Sequence, residues 1–267
     1  MQISAQSWKS YVEKLGKLNK AAADAIIAYI KKHGFGDNKA LVDYAFLISQ
    51  KYGLGAAAIS AAMYDAIVEA SNKYYEPAEM ADLPTYGDVA KTVYGVLKTS
   101  ENEEEIAGAV SRLVKKAGCD TTLRNAFRDR AQYAWIPSGD TCAFCMGLAA
   151  NGWVDISAKI ARKGYPHAEH IHSNCDCTYA IRFSADDGVE GYDPDRYFEE
   201  IEEACDAQGL DINVEDVTWQ QLNPEVINAV RRQNYARNKE EINAQKRTAY
   251  EKRQELNSSK AEESNTN

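Results

Sequence analysis

The chain has 267 residues, 45% of them apolar and 27% charged, with a formal net charge of −9. This is the composition of an ordinary globular protein, and the length suits one large domain or two small ones. The acidic balance excludes a protein that coats nucleic acid over its whole surface, while leaving room for a local basic patch.

No run approaches the roughly 18 uninterrupted apolar residues of a membrane span. The opening MQISAQSWKS has no basic stretch followed by an apolar one, so neither a signal peptide nor a membrane anchor is expected. Apolar residues at Trp8, Tyr11, Val12, Leu15, Leu18, Ala22, Ile26 and Ile30 follow the three-and-four spacing of a one-sided helix, which HGFG at 33–36 should stop. A second helix is predicted through ALVDYAFLISQ, ending at YGLG, and a third through the alanine-rich AAAISAAMYDAIVEA. Pro77 and Pro84 bracket a loop. Shorter helices are then predicted near 86–98, 102–117 and 120–134, the middle one preceded by Ser100 and Glu103 at capping-box spacing. The first 76 residues contain no proline, which suits a bundle.

The texture changes at WIPSGD, residues 135–140. The following 45 residues hold four of the six cysteines and three of the four histidines, so 136–185 reads as a separate small module after a helical domain at 1–135. TYAIRF reads as a short strand. Residues 186–216 carry 13 acidic residues against the single Arg196, and 186–223 is expected to be an acidic connector. From Glu225 to Glu255 eight Lys or Arg residues face five acids, predicting a basic helix over 224–256. The polar end, 257–267, cannot bury anything and is expected to be disordered. The expected fold class is mainly α: an N-terminal helical bundle, a small α+β zinc-binding module and a C-terminal basic helix.

Six cysteines at this length fall below the density of a disulfide-stapled secreted domain, which points to a reducing compartment. Cys119 and Cys205 stand alone. The other four form two close pairs, Cys142-x-x-Cys145 and Cys175-x-Cys177, the second preceded by His167, His170 and His172. Zinc takes four donors in a tetrahedron, and Cys-x-x-Cys offers two from one tight turn. The remaining two places have five candidate donors: His167, His170, His172, Cys175 and Cys177. Ordinary buried thiols beside a solvated histidine run, or disulfides in an extracellular particle, are the competing readings. His167-Ala-Glu169 resembles half of a zinc deaminase signature, but the order of the halves is reversed. A histidine-metal nuclease using His170 and His172 is the catalytic alternative. No phosphate-binding glycine loop, G-x-S-x-G elbow or His-Glu-x-x-His helix is present.

DTCAFCMGLAANGW followed by HIHSNCDCTYAIRF resembles the core of phage minor head proteins of the Mu F-like type, which pair an upstream Cys-x-x-Cys with a downstream His-x-x-Cys-x-Cys. The resemblance extends through GYDPDRY at 191–197 and INAQKRTAY at 242–250. It implies matching positions at Cys142, Cys145, His172, Cys175 and Cys177, one structural zinc per chain and no catalytic residues. It also implies a low-copy protein placed in the head near the portal, with portal, major capsid or scaffolding proteins as partners. Such a protein would reside in the host cytoplasm during assembly and then in the virion interior.

In the basic helix, Val230, Tyr235, Ile242, Ala249 and Tyr250 make a thin apolar stripe beside Arg231, Arg232, Arg237, Lys246 and Arg247. Those five cations are the candidate partner-binding residues, for the portal, for the chain's own acidic segment or for packaged DNA. A solvated helix laced by Glu–Lys pairs is the plainer reading, and a DNA-binding accessory protein the third functional one.

Overall fold

Ser4 precedes the first helical run, and its side chain accepts the Ser7 N–H at 3.1 Å, opening α1 (Ala5–His33). The structure, a computed structural model, describes residues 1–138, 142–156, 177–210 and 225–234, with single positions 236, 239 and 244. Helix α1 buries Trp8, Tyr11, Val12, Ala22, Ile26 and Ile30, the face expected from the spacing. It ends at Gly34, whose φ of 70° suits a residue without Cβ and whose N–H donates to the Ile30 carbonyl.

The sequence predicts two helices across 40–70, but α2 (Asn38–Ala70) is one. Gly53 and Gly55 are close-approach positions inside it rather than breakers. A Cβ on Gly55 would lie 3.1 Å from Leu18 Cδ1, and one on Gly53 3.4 Å from Leu83 Cδ2. Isolated glycines weaken a helix by about 1 kcal/mol each, which the packing of a long buried face offsets.

Helix α3 (Tyr86–Leu97) carries a capping box, Thr85 with Asp88. The box expected at Ser100 is absent: α4 (Glu103–Arg128) is capped by Asn102, which accepts the Glu104 and Glu105 N–H groups. Helix α4 also joins what the sequence divides at 118–119. A Cβ on Gly118 would come within 2.9 Å of Ser60 Oγ and 3.3 Å of the Ala56 carbonyl, so this glycine lets α2 and α4 touch. The last part of the helix expected over 120–134 is instead strand β2 (Gln132–Ile136), because aromatic QYAWI fits a sheet interior as well as a helix face.

Between α2 and α3 the chain returns along α2 and α4 without secondary structure of its own, and side chains satisfy its backbone. Asn125 takes the Glu79 N–H and donates to the Glu79 carbonyl; Thr121 Oγ1 accepts from Ala81, and Asp65 Oδ1 from Ala78. Arg128 donates to the Glu76 and Pro77 carbonyls while pairing in two-pronged fashion with Asp129, which also accepts the buried Tyr64 hydroxyl at 2.8 Å.

Strand β2 is the centre of a three-stranded antiparallel sheet, with β3 (Val154–Asp155) on one side and β4 (Thr178–Arg182) on the other. Residues 178–182 thus form the strand expected from TYAIRF. A parallel pair, β1 (Gln2–Ile3) with β5 (Gly188–Val189), ties the segment before α1 to the chain after β4. The sheet and the helices share one apolar cluster, in which Trp8, Tyr11, Tyr64 and Leu123 meet Trp135, Tyr179 and Ile181. A second cluster, including Ile26, Leu41, Val93 and Val110, fills the helical bundle. The acidic stretch contains α6 (Pro194–Asp206), opened by Asp193 with proline at its start. The molecule is mainly helical with a small strand component.

Candidate functional site

Cys142 is the N-cap of the eight-residue helix α5 (Ala143–Ala150): its sulfur accepts the Cys145 N–H at 3.5 Å. Cys142-x-x-Cys145 therefore places both cysteines at the same end of one helix, where the backbone dipole favours negative charge on sulfur. Cys145 is 1% exposed, and Cys142 is half-buried.

The sheet register brings the third described thiol to the same region. Ile136, the last residue of β2, pairs with Thr178, the first of β4, so Cys177 enters the sheet at the end from which the chain leaves towards Cys142. Cys145 and Cys177 lie in the cluster that joins sheet and bundle, and Cys142 packs against it. Thiols are donors of the soft kind that zinc takes; the buried cluster contains Cys119, Cys145 and Cys177, and the half-buried Cys142 packs against it.

The wall of the cluster is aromatic, with Trp135 and Tyr179 edge-to-face at 4.8 Å between centroids. Lys115 of α4 is 8% exposed, and its ammonium stands 5.4 Å from the Trp135 ring centroid. Lys115 and Cys177 also line one small cavity with Leu15, Gly16, Asn19 and Thr178. A lysine inside a helix with no other cysteine-cluster signal was not legible as part of this region; only the sheet register brings it there. Tyr192 fixes the far end of α5 by donating to the Ala149 carbonyl at 2.7 Å, and burial pushes its phenol pKa up.

His172 and Cys175, with His167 and His170, lie outside the described residues. Among the described residues no group of three or more His, Cys, Asp or Glu is arranged to hold a metal ion. Cys119 and Cys205 are packing residues, buried in different parts of the fold, and burial pushes the Cys205 thiol up.

Of the basic residues, Arg231 and Arg232 are exposed on a helical stretch at 225–234. Its opposite side buries Val226, Ala229 and Val230 against Ala143 and Met146 of α5 and Ile201 and Ala204 of α6. Arg232 donates to Gln208 Oε1 at 2.8 Å. Arg237, Lys246 and Arg247 lie outside the described residues.

A family model described as VG15 protein matches residues 2–204, roughly three-quarters of the chain. That span includes both cysteine pairs and all the histidines, and stops short of Arg231. No curated protein and no solved structure matches the chain.

Proposed function

The chain belongs to the VG15 protein family, a viral protein family, and on that premise we propose that it is a phage minor head protein of the Mu F-like type, acting in capsid assembly at or near the portal. The observation that carries this reading is the pairing of β2 with β4, which sets Cys177 at the end of the sheet from which the chain leads to Cys142 and Cys145, with Cys145 and Cys177 in one apolar cluster and Cys142 packed against it. In this reading the thiols, completed by His172 or Cys175, hold one structural zinc. The metal would supply a cross-link that ties α5 to the start of β4. Structural zinc stabilises small zinc peptides by about 10–16 kcal/mol, enough to hold a segment of this size in place. Burial of Cys145 and Cys177 favours this closed role over a nuclease centre, which needs a coordination position reachable by phosphate and water.

Arg231 and Arg232 are the described part of the partner-binding arm. Their helical stretch is anchored to α5 and α6 through its apolar side, so the arm is held by the same region that the zinc would brace. Portal, major capsid or scaffolding proteins are the proposed partners, with packaged DNA as a further contact of the arm. Quantitative mass spectrometry of purified phage particles tests the assignment. The protein should be present at low copy in heads assembled with a portal, and replacing Arg231 and Arg232 by Ala should reduce its incorporation several-fold while leaving its melting unchanged. Absence from particles, together with metal-dependent DNA cleavage by the purified protein, would overturn it in favour of the nuclease.

A further inference from the structure

Helix α5 ends at the only Asn-Gly step in the chain, Asn151-Gly152. Such a step is chemically unstable in an open chain. The Gly152 nitrogen, on a residue with no side chain to hinder it, attacks the Asn151 side-chain carbonyl. A bond forms between that nitrogen and Cγ, the bond from Cγ to Nδ2 breaks, and the amide proton leaves with the departing ammonia. Water then opens the resulting five-membered succinimide at either carbonyl, giving aspartate or isoaspartate. The reaction needs no cofactor and no enzyme.

Three features of the fold oppose it. Asn151 has φ −73° and ψ −11°. A ψ this close to zero turns the Gly152 nitrogen towards the backbone nitrogen of Asn151, whereas closing the ring needs it eclipsed with Cβ. The attacking nitrogen must also shed its proton, and the Gly152 N–H donates to the Ala149 carbonyl at 3.2 Å. The leaving amide is held as well: Nδ2 of the half-buried Asn151 donates to the Gly147 carbonyl at 2.5 Å. The same Ala149 carbonyl accepts the Tyr192 hydroxyl at 2.7 Å, so a residue from outside the helix fastens the turn. Gly152 leaves the helix at φ 66°, where a Cβ would lie 3.5 Å from Pro194.

We propose that Asn151 is a latent deamidation site, kept closed by the last turn of α5 with Tyr192 as its latch, and converted when that turn opens. The conversion is one-way. A carboxylate at position 151 has no proton to give the Gly147 carbonyl, and it sets a negative charge at the helix end where the backbone dipole is already negative. Isoaspartate goes further, because its main chain runs through Cβ and carries Gly152 off the path that meets Pro194. A turn that has opened and reacted therefore does not close as before. The other end of the same eight-residue helix carries Cys142 and Cys145, so the site keeps a permanent record of opening in the cysteine-bearing helix, whether or not a metal is bound.

Incubation of the purified full chain in mildly alkaline buffer, followed by peptide mass spectrometry of the segment carrying Asn151, reads this directly. Conversion in the folded protein should be at least about ten-fold slower than in the same protein unfolded in urea, since local opening has to precede it. This comparison needs no variant. Tyr192→Phe should speed conversion in the folded protein about five-fold by removing one hydrogen bond from the turn. Tyr64→Phe, which removes a hydrogen bond to Asp129 outside this turn, should leave the rate unchanged. Asn151→Asp, made outright, should melt about 2–4 °C below the parent. Equal conversion of folded and unfolded protein, no acceleration in Tyr192→Phe, the same acceleration in Tyr64→Phe, or unchanged melting of Asn151→Asp would each overturn the proposal.

Discussion

Cys142 caps a helix and is a candidate metal ligand, and one substitution separates the two roles. Serine is among the best N-cap residues, so Cys142→Ser keeps the cap while removing a soft donor. The variant should lose its metal and melt several degrees lower; unchanged metal content and melting would reduce Cys142 to a cap. Tyr64 offers a test of the buried polar network. Tyr64→Phe strips one hydrogen bond from the buried Asp129 carboxylate, which keeps its two-pronged Arg128 partner. Chemical denaturation should show a loss of about 1–3 kcal/mol. Asp120 behaves in the opposite sense. Burial pushes its carboxyl pKa up against the pull of Lys116, and one carboxylate oxygen has no hydrogen-bond partner. The folded state thus holds the proton more tightly than the unfolded chain. The associated stability is complete below about pH 3.9, the unfolded value, and is lost as pH rises through the raised folded value. Asp120→Asn should flatten the stability profile above about pH 4 and match or exceed the parent at pH 7; a variant less stable only near neutrality would show that the Lys116 pair outweighs the burial. The Tyr64–Asp129 pairing is not legible in the sequence, since it joins residues 65 positions apart, whereas Lys116 and Asp120 stand four apart within α4. The thiols were legible because their spacing is local.

Whole helices were legible where one apolar face runs unbroken, as in α1, and misread where glycine intervened. YGLG looks like a stop by local propensity and the predicted helices part at 118–119, yet both places lie inside long helices, where a Cβ on Gly55 would crowd Leu18 and one on Gly118 would crowd Ser60 and the Ala56 carbonyl. Sequence spacing carries no information about such neighbours. Gly118→Ala must displace Ser60 or the Ala56 carbonyl and should cost about 1–3 kcal/mol, as overpacked cores do. Gly95→Ala, in α3 where a Cβ meets nothing within 4 Å, should instead stabilise by roughly 0.5–1 kcal/mol. Thermal melting of the two variants side by side distinguishes close-approach glycine from merely tolerated glycine, and equal effects would contradict the account. The helix expected to run to residue 134 failed for a different reason: QYAWI is too short for periodicity to separate strand from helix, and the pairing partner that decides it lies more than 40 residues further on.

At the scale of the molecule, the sheet is the joint between the cysteine-bearing chain and the bundle. Its two longest strands enclose almost all of the thiol and histidine stretch between their facing ends, and their side chains share a core with α1, α2 and α4. The acidic segment contributes a helix of its own, α6, and that helix supports the start of the basic arm through apolar contacts. Composition correctly marked where charge changes sign along the chain. It could not reveal that apolar residues at helical spacing, Ile201 and Ala204 with Val226, Ala229 and Val230, fasten the two regions together. If Cys142, Cys145 and Cys177 belong to a structural zinc clamp, the zinc content of the purified, reduced protein reads it out by elemental mass spectrometry, with chelator-treated protein melted in parallel. About one zinc per chain and a lower melting temperature after chelation are expected. A metal-free protein that melts at the same temperature with and without chelator would contradict it.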